Sequence, residues 1–161
     1  MSTLTNTEIQ VLNEALDDEY HAWATYDQVI ADFGEVRPFS NIRDAEASHL
    51  DALHSWLVRY PVPIPDNNWL GKVDRYSSLQ DACTAGVAAE IANGEMYERL
   101  LISTDREDIL AVLQALGDAS QQRHLPAFQR CSQGAGSTGC GGGKRRHRRG
   151  IGGHGRHRDE G

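Results

Sequence analysis

Five ionisable side chains, Glu19, Glu46, His49, Glu90 and His124, stand where the helical periodicity of this chain otherwise places apolar groups. The densest case is Glu46-x-x-His49, whose face also carries Phe39, Ile42, Leu53, Trp56 and Tyr60. Glu19 fills the one gap in a stripe made of Ile9, Leu12, Leu16, Trp23, Tyr26, Ile30 and Phe33, and Glu90 shares a stripe with Leu79, Cys83, Gly86, Asn93, Tyr97 and Leu100. His124 belongs to a fourth stripe with Leu110, Leu113, Gly117, Ser120, Ala127 and Cys131, and Gln121 sits at its edge. A buried unpaired carboxylate costs several kcal/mol even after relaxation, against a total stability of about 5–15 kcal/mol. Any fold of this chain must therefore bring compensating partners to these groups.

The stripes repeat every three to four residues, the seam of a packed helix. They predict helices over about 5–33, 38–60, 77–102 and 105–131. Thr5-x-x-Glu8, Ser77-x-x-Gln80 and Thr104-x-x-Glu107 read as capping boxes, Gly34 as a stop and Pro38 as a first-turn residue. Pro126 should kink the last turn of the fourth helix. Short connections around Gly34 and Ser103 make each neighbouring pair an antiparallel hairpin. The link from Pro61 to Tyr76 is proline-rich and extended, and its 16 residues can reach roughly 50 Å, more than the length of about 36 Å of a 24-residue helix. It can cross the bundle and set the second and third helices parallel. The expected fold is all-α, a ferritin-like four-helix bundle of two antiparallel hairpins joined by one long crossover.

Charge divides the chain. Residues 1–143 hold nine Lys/Arg against 21 Asp/Glu, whereas 144–161 hold seven against two. The acidic body argues against general nucleic-acid binding. Residues 132–161 are Gly-, Arg- and His-rich with almost no apolar side chain, so the expected organisation is a bundle over 1–131 and a disordered tail over 132–161. The tail, with Lys144-Arg145-Arg146-His147-Arg148-Arg149, His154 and His157, is read first as a solubilising arm, and otherwise as a weak binder of nucleic acid or of metal ions. The polar N-terminus and the absence of a long apolar run lead to the expectation of a cytoplasmic protein without a membrane span. Cys83 is expected to be a small buried group. Cys131 and Cys140 are read as free thiols, a disulfide or metal ligands. Tyr20, Trp23, Tyr26, Trp56 and Tyr97 are read as core aromatics around the site.

The first helix contains no Lys or Arg, and Arg43, Arg99 and Arg123 lie off the seams. Two ways of compensating the buried glutamates remain. His49 and His124 can pair with them as imidazolium, or a dication can be held by carboxylates and neutral imidazoles and neutralise all the charges together. Oxygen-rich sites with one imidazole per metal suit iron or manganese, with zinc as an alternative. The chain thus presents five of the six ligands of a di-metal carboxylate bundle, a Glu from each of two helices and a Glu-x-x-His from each of two others, with glutamine in the sixth place.

The run from Glu46-Ala47-Ser48-His49 to Tyr60 resembles the second helix of rubrerythrin-like and ferritin-like proteins. Together with Phe39-Ser40-Asn41-Ile42, Ser78-Leu79-Gln80-Asp81-Ala82 and Ser120-Gln121-Gln122-Arg123-His124-Leu125-Pro126-Ala127-Phe128, it is similar to a prokaryotic ferritin-like family known as domain of unknown function 2202, over about residues 5–131. The resemblance implies a metal-binding bundle with Glu19, Glu46 and His49 around one ion and Glu90 and His124 around a second. A rubrerythrin-type site would carry glutamate in place of Gln121, and often in place of Asn93. Gln121, Asn93 and Tyr97 are therefore expected as weak ligands or hydrogen-bonding neighbours, with one ion held tightly and a second weakly. No rubredoxin-like pair of Cys-x-x-Cys motifs is present, so the expected partners are oxygen or peroxide and a separate electron donor. Homodimer formation stays open. The leading reading is a redox protein acting as an oxidoreductase or in stress protection, and the alternative a non-catalytic iron-binding or buffering protein.

Overall fold

The computed structural model describes residues 3–134. The expected disordered tail, with Cys140, the basic run and His154 and His157, lies outside the described residues apart from 132–134. Helix α1 spans Asn6–Phe33, α2 Phe39–Arg59, α3 Leu79–Leu101 and α4 Glu107–Ala119; a π turn over Ser120–His124 leads directly into α5, Leu125–Ser132. The fold is all-α, with two hairpins and one crossover. No helix of the described residues is long and apolar enough to cross a membrane.

The capping box at Thr5 and Glu8 forms: Thr5 Oγ1 accepts from the Glu8 amide at 3.2 Å and Glu8 Oε2 from the Thr5 amide at 2.7 Å. Gly34 ends α1 at φ 92°, a conformation that costs glycine little. Two of the expected caps differ. Ser78, not Ser77, caps α3 by accepting from the Asp81 amide. Thr104 accepts from the amide of Arg106, and Arg106 itself stands at the start of α4. Ser77 and Ser78 offer the same capping oxygen, and the first committed helical turn decides between them, whereas Arg106 makes no side-chain cap at all.

Register follows from contacts between helices. Along α1, Glu14, Asp18 and Tyr26 meet Arg99, Asn93 and Glu90 of α3 in descending order. Asp27 and Tyr20 meet Arg43 and His54 of α2 in the same sense. Helix α1 is thus antiparallel to both α2 and α3, and α2 and α3 are parallel. The crossover runs up the outside of α1: Tyr20 Oη donates to the Pro65 carbonyl at 3.1 Å, Trp69 Nε1 to Asp17 at 3.0 Å and Arg75 Nε to Asp32 at 2.9 Å.

Two apolar clusters sit on either side of the mid-level of the bundle. One is built on Leu12, Leu16, Leu53, Leu57, Leu100 and Leu113, the other on Tyr26, Phe39, Ile42, Cys83 and Phe128. Helix α5 presses close to α3, because a Cβ at Gly86 would come within 2.7 Å of the Phe128 ring. Cys83 and Cys131 are joined by a disulfide, with Cα atoms 5.7 Å apart. This replaces the expectation of an unpaired Cys83, and of the readings open for Cys131 it selects a disulfide, with Cys83 and not Cys140 as its partner. The antiparallel register sets Gly86 against Phe128 and Gln80 against Ser132, so Cys83 and Cys131 must face each other between those contacts.

Pro126 does not end the last helix, which continues to Ser132. Proline supplies no amide to the carbonyl one turn back, and the turn before it opens into a π turn in which the Leu125 amide reaches the Ser120 carbonyl. The core face shifts with it. Ile109, Leu113, Leu116, Ser120, His124 and Phe128 are buried, whereas Leu110 and Ala127, which the plain periodicity assigned inward, are only partly so.

Candidate metal centre

Between the two apolar clusters the structure brings together all five ionisable stripe residues. Glu19, Glu46, Glu90 and His124 are buried and His49 is half-buried. They form two triads, Glu19–Glu46–His49 and Glu46–Glu90–His124, each able to offer three ligand atoms lying within 4.8 Å of one another. Glu46 belongs to both. Its Oε2 is 2.8 Å from His49 Nδ1, which is 3.2 Å from Glu19 Oε2. Its Oε1 is 3.1 Å from His124 Nδ1, which lies 3.6 Å from Glu90 Oε1. The two imidazole rings stack with centroids 5.7 Å apart.

Neighbouring hydroxyls fix the outer carboxylates. Tyr97 donates to Glu19 Oε1 at 2.6 Å, Tyr26 to Glu90 Oε1 at 2.8 Å and Ser120 to Glu90 Oε2 at 2.6 Å. The roles of Tyr26 and Ser120 were not legible in the sequence, where both pass as ordinary stripe residues. Tyr20 instead faces His54 and Pro65, and Trp56 stacks on Tyr60.

Gln121 is not part of the cluster. Its Nε2 donates to the Glu90 backbone carbonyl at 2.6 Å and to Ser120 Oγ at 2.9 Å, and its side chain lies over Gly94, where a Cβ would come within 2.6 Å. The reason is the π turn. A turn closed by i to i+5 bonds contains more residues than an α turn, so Ser120, four before His124, faces the site in place of Gln121, three before it. Gln121→Glu is accordingly expected to leave metal stoichiometry unchanged. It would lose both donated bonds and set a carboxylate against a carbonyl, lowering stability by about 1–3 kcal/mol in chemical denaturation. Asn93 also stands apart from the five, with its amide donating to Asp18.

Asp18 is a site neighbour that the sequence reading missed, because it lies one residue off the α1 stripe. Burial, together with the charges of Glu90 and Glu46, pushes its carboxyl up to about 6 against the opposing Asn93 hydrogen bond. A cavity of about 70 Å³ opens here, lined by Asp18, Thr25 and Asn93 as well as by Glu46, Glu90 and His124.

The cluster neutralises itself without metal. Burial disfavours the charged rings, yet the adjacent carboxylates outweigh it: Glu19 and Glu46 hold His49 up to about 10, and Glu46 and Glu90 hold His124 up to about 9. Burial likewise opposes a charge on Glu46, but Glu19 and the two adjacent imidazoles prevail and keep it ionised well below the usual carboxylate range. Glu19 moves the opposite way, raised by burial and by the Glu46 charge. Arg43 and Arg99 are engaged elsewhere: Arg43 pairs with Asp27, Glu35 and Asp44, and Arg99 with Glu14.

The residues present fit a metal in one further respect. His124 Nδ1 is buried and completes no hydrogen bond, although two carboxylate oxygens lie beside it. An imidazole nitrogen converging with carboxylate oxygens without being satisfied by them is a ligand set more than a hydrogen-bond network.

Fold and cluster together define a ferritin-like four-helix bundle with a carboxylate–histidine centre at its mid-level. Among solved structures, the chain is similar to hypothetical protein MJ0754 from Methanococcus jannaschii DSM 2661, at 25% identity over 85% of this chain and 86% of that one, with a TM-score of 0.72. It is also similar to Mycobacterium tuberculosis bacterioferritin, BfrA, at 14% identity over 80% and 85% of the two chains, with a TM-score of 0.66. No family model matches the chain, and no curated protein does. The resemblance to family 2202 therefore rests on the sequence stretches alone.

Proposed function

We propose that this protein binds iron at a two-ion centre bridged by Glu46 and reacts there with oxygen or peroxide, as an oxidoreductase or in stress protection. The observation that carries the proposal is the double membership of Glu46, one oxygen towards each histidine. Each triad has its own glutamate, its own histidine and a share of Glu46, which supports two comparable positions in place of one tight and one weak. Manganese or zinc would satisfy the same ligands. Bound iron would supply the one-electron couple that oxygen or peroxide chemistry needs.

The chain's residues do the remaining work. Tyr97, Tyr26 and Ser120 orient Glu19 and Glu90, so the ligands are set before an ion arrives. Three ligand carboxylates against two divalent ions would leave one unit of positive charge, which Asp18 at the adjoining cavity can offset when ionised. A separate protein or small molecule would supply electrons. Kinship with family 2202, and the cytoplasm as its place of action, belong to the same proposal.

A second reading, reversible iron binding without turnover, is favoured by the self-neutralised cluster, since a metal-free state with His49 and His124 charged needs no ion to stand. Contact of the basic tail with nucleic acid would belong to that reading. Metal analysis of protein purified without a histidine tag, followed by anaerobic iron titration and an oxygen or peroxide pulse, separates the two. Rapid oxidation of bound iron with consumption of the oxidant supports the first, and stable ferrous occupancy the second. Absence of bound metal overturns both.

Proton release provides an independent test. Metal needs both imidazoles neutral, whereas the metal-free protein holds them charged up to about 10 and about 9. Binding near neutral pH should expel about three protons per two-ion centre, two from the imidazoles and one from Glu19, whose carboxyl burial and the Glu46 charge raise, and affinity should climb with pH until those groups are deprotonated. Calorimetry in buffers of different ionisation enthalpy measures the count. Release of no protons would mean that the histidines are not ligands.

A further inference from the structure

The Cys83–Cys131 bridge occupies a particular place relative to the metal centre. Cys83 lies seven residues before Glu90 on α3, and Cys131 seven residues after His124 across the π turn and α5. On this antiparallel pair of helices the bridge is therefore two turns below the Glu90–His124 pair, about 10 Å along the axis. Continuous aromatic packing fills the interval. Phe128 shares a core cluster with Cys83 and Cys131 and packs on Gly86. Its ring centroid is 5.2 Å from that of Tyr26, whose hydroxyl donates to Glu90 at 2.8 Å. Cys83 is fully buried, whereas Cys131 is partly exposed in the last turns of α5.

We propose that Cys83 and Cys131 form a redox-active pair that supplies two electrons to the Glu46-bridged centre, making the protein a thiol-dependent peroxidase. The inference rests on the metal-binding reading above. In the reduced protein the two thiols lose two electrons and two protons as the Cys83–Cys131 bond forms. Hydrogen peroxide at the centre takes up both, its O–O bond breaks, and two waters leave. An external thiol resets the pair: its thiolate attacks the sulfur of Cys131, the partly exposed residue of the two, and a second thiol releases the mixed disulfide, leaving two protein thiols and one external disulfide. The fold thus contains the electron source that the absence of Cys-x-x-Cys motifs had assigned to another protein.

The test uses the full chain, reduced with a small dithiol, desalted anaerobically and loaded with ferrous iron, its iron content measured before one equivalent of hydrogen peroxide is added. Peptide mass mapping should then show Cys83 linked to Cys131, two hydrogens lighter, with the iron returned to the ferrous state. Iron-free wild type and Glu46→Ala should keep both thiols over the same interval. Cys131→Ser, with every ligand intact, should bind the same iron and leave it ferric after the pulse. Iron that binds and stays ferric beside unreacted thiols in wild type overturns the proposal while sparing the metal site. Equal thiol loss in iron-free protein also overturns it and makes the bridge a structural staple. Failure to bind iron at all overturns the metal site and this inference together.

Discussion

Replacing Glu46 with alanine is expected to empty both metal positions at once, while Glu19→Ala or Glu90→Ala empties one. Glu46 is the residue common to the two triads, and Asp18, the carboxylate that borders the same cavity, is engaged by Asn93 and belongs to neither triad. Wild type loaded well above its dissociation constants gains about 3–4 kcal/mol from each ion by mass action, so a chelator should lower its melting temperature and leave that of Glu46→Ala unchanged. A second readout needs no metal. Glu46 faces both imidazoles, so in the metal-free variant both histidines should titrate well below about 10 and about 9 in NMR. Loss of a single ion from Glu46→Ala would show that the carboxylate is not shared.

The second large effect concerns the lower core. Phe128 is fully buried against Tyr26, Phe39 and the backbone of α3 at Gly86. Phe128→Ala should cost about 3–5 kcal/mol, a fall in melting temperature of about 10 °C or more. The close approach at Gly86 leaves α3 and α5 unable to collapse around the cavity, because the disulfide and the Glu90–His124 pair hold the helices on either side. Metal affinity should fall with it, since α5 carries the position of His124. A loss below about 1 kcal/mol, the range of a tolerated core change, would mean that this packing does not hold the helices together.

Much of the centre could be read from one chain. Glu19, Glu46, His49, Glu90 and His124 interrupt apolar stripes, and a helix has no cheap way to bury a carboxylate, so their convergence was forced by the cost of the alternatives. The order of helices and the direction of the crossover followed from loop length and chain reach. The local pattern was silent wherever a second helix had to supply the partner. Tyr26 and Tyr97 look like any core aromatic until register, set over 64 and 78 residues of separation, points their hydroxyls at Glu90 and Glu19.

What the sequence by itself determined is therefore the bundle, its two hairpins and the five ionisable groups on the helix seams, because each of these depends on periodicity along one helix or on the reach of one link. The tertiary structure alone decided that Ser120 and not Gln121 faces the site, that Cys83 pairs with Cys131, and that Asp18 borders the cavity. The π turn that selects Ser120 breaks the 3.6-residue spacing on which any stripe is counted. The disulfide depends on how far α3 and α5 slide past each other, and that distance is settled by the fit of Phe128 over Gly86.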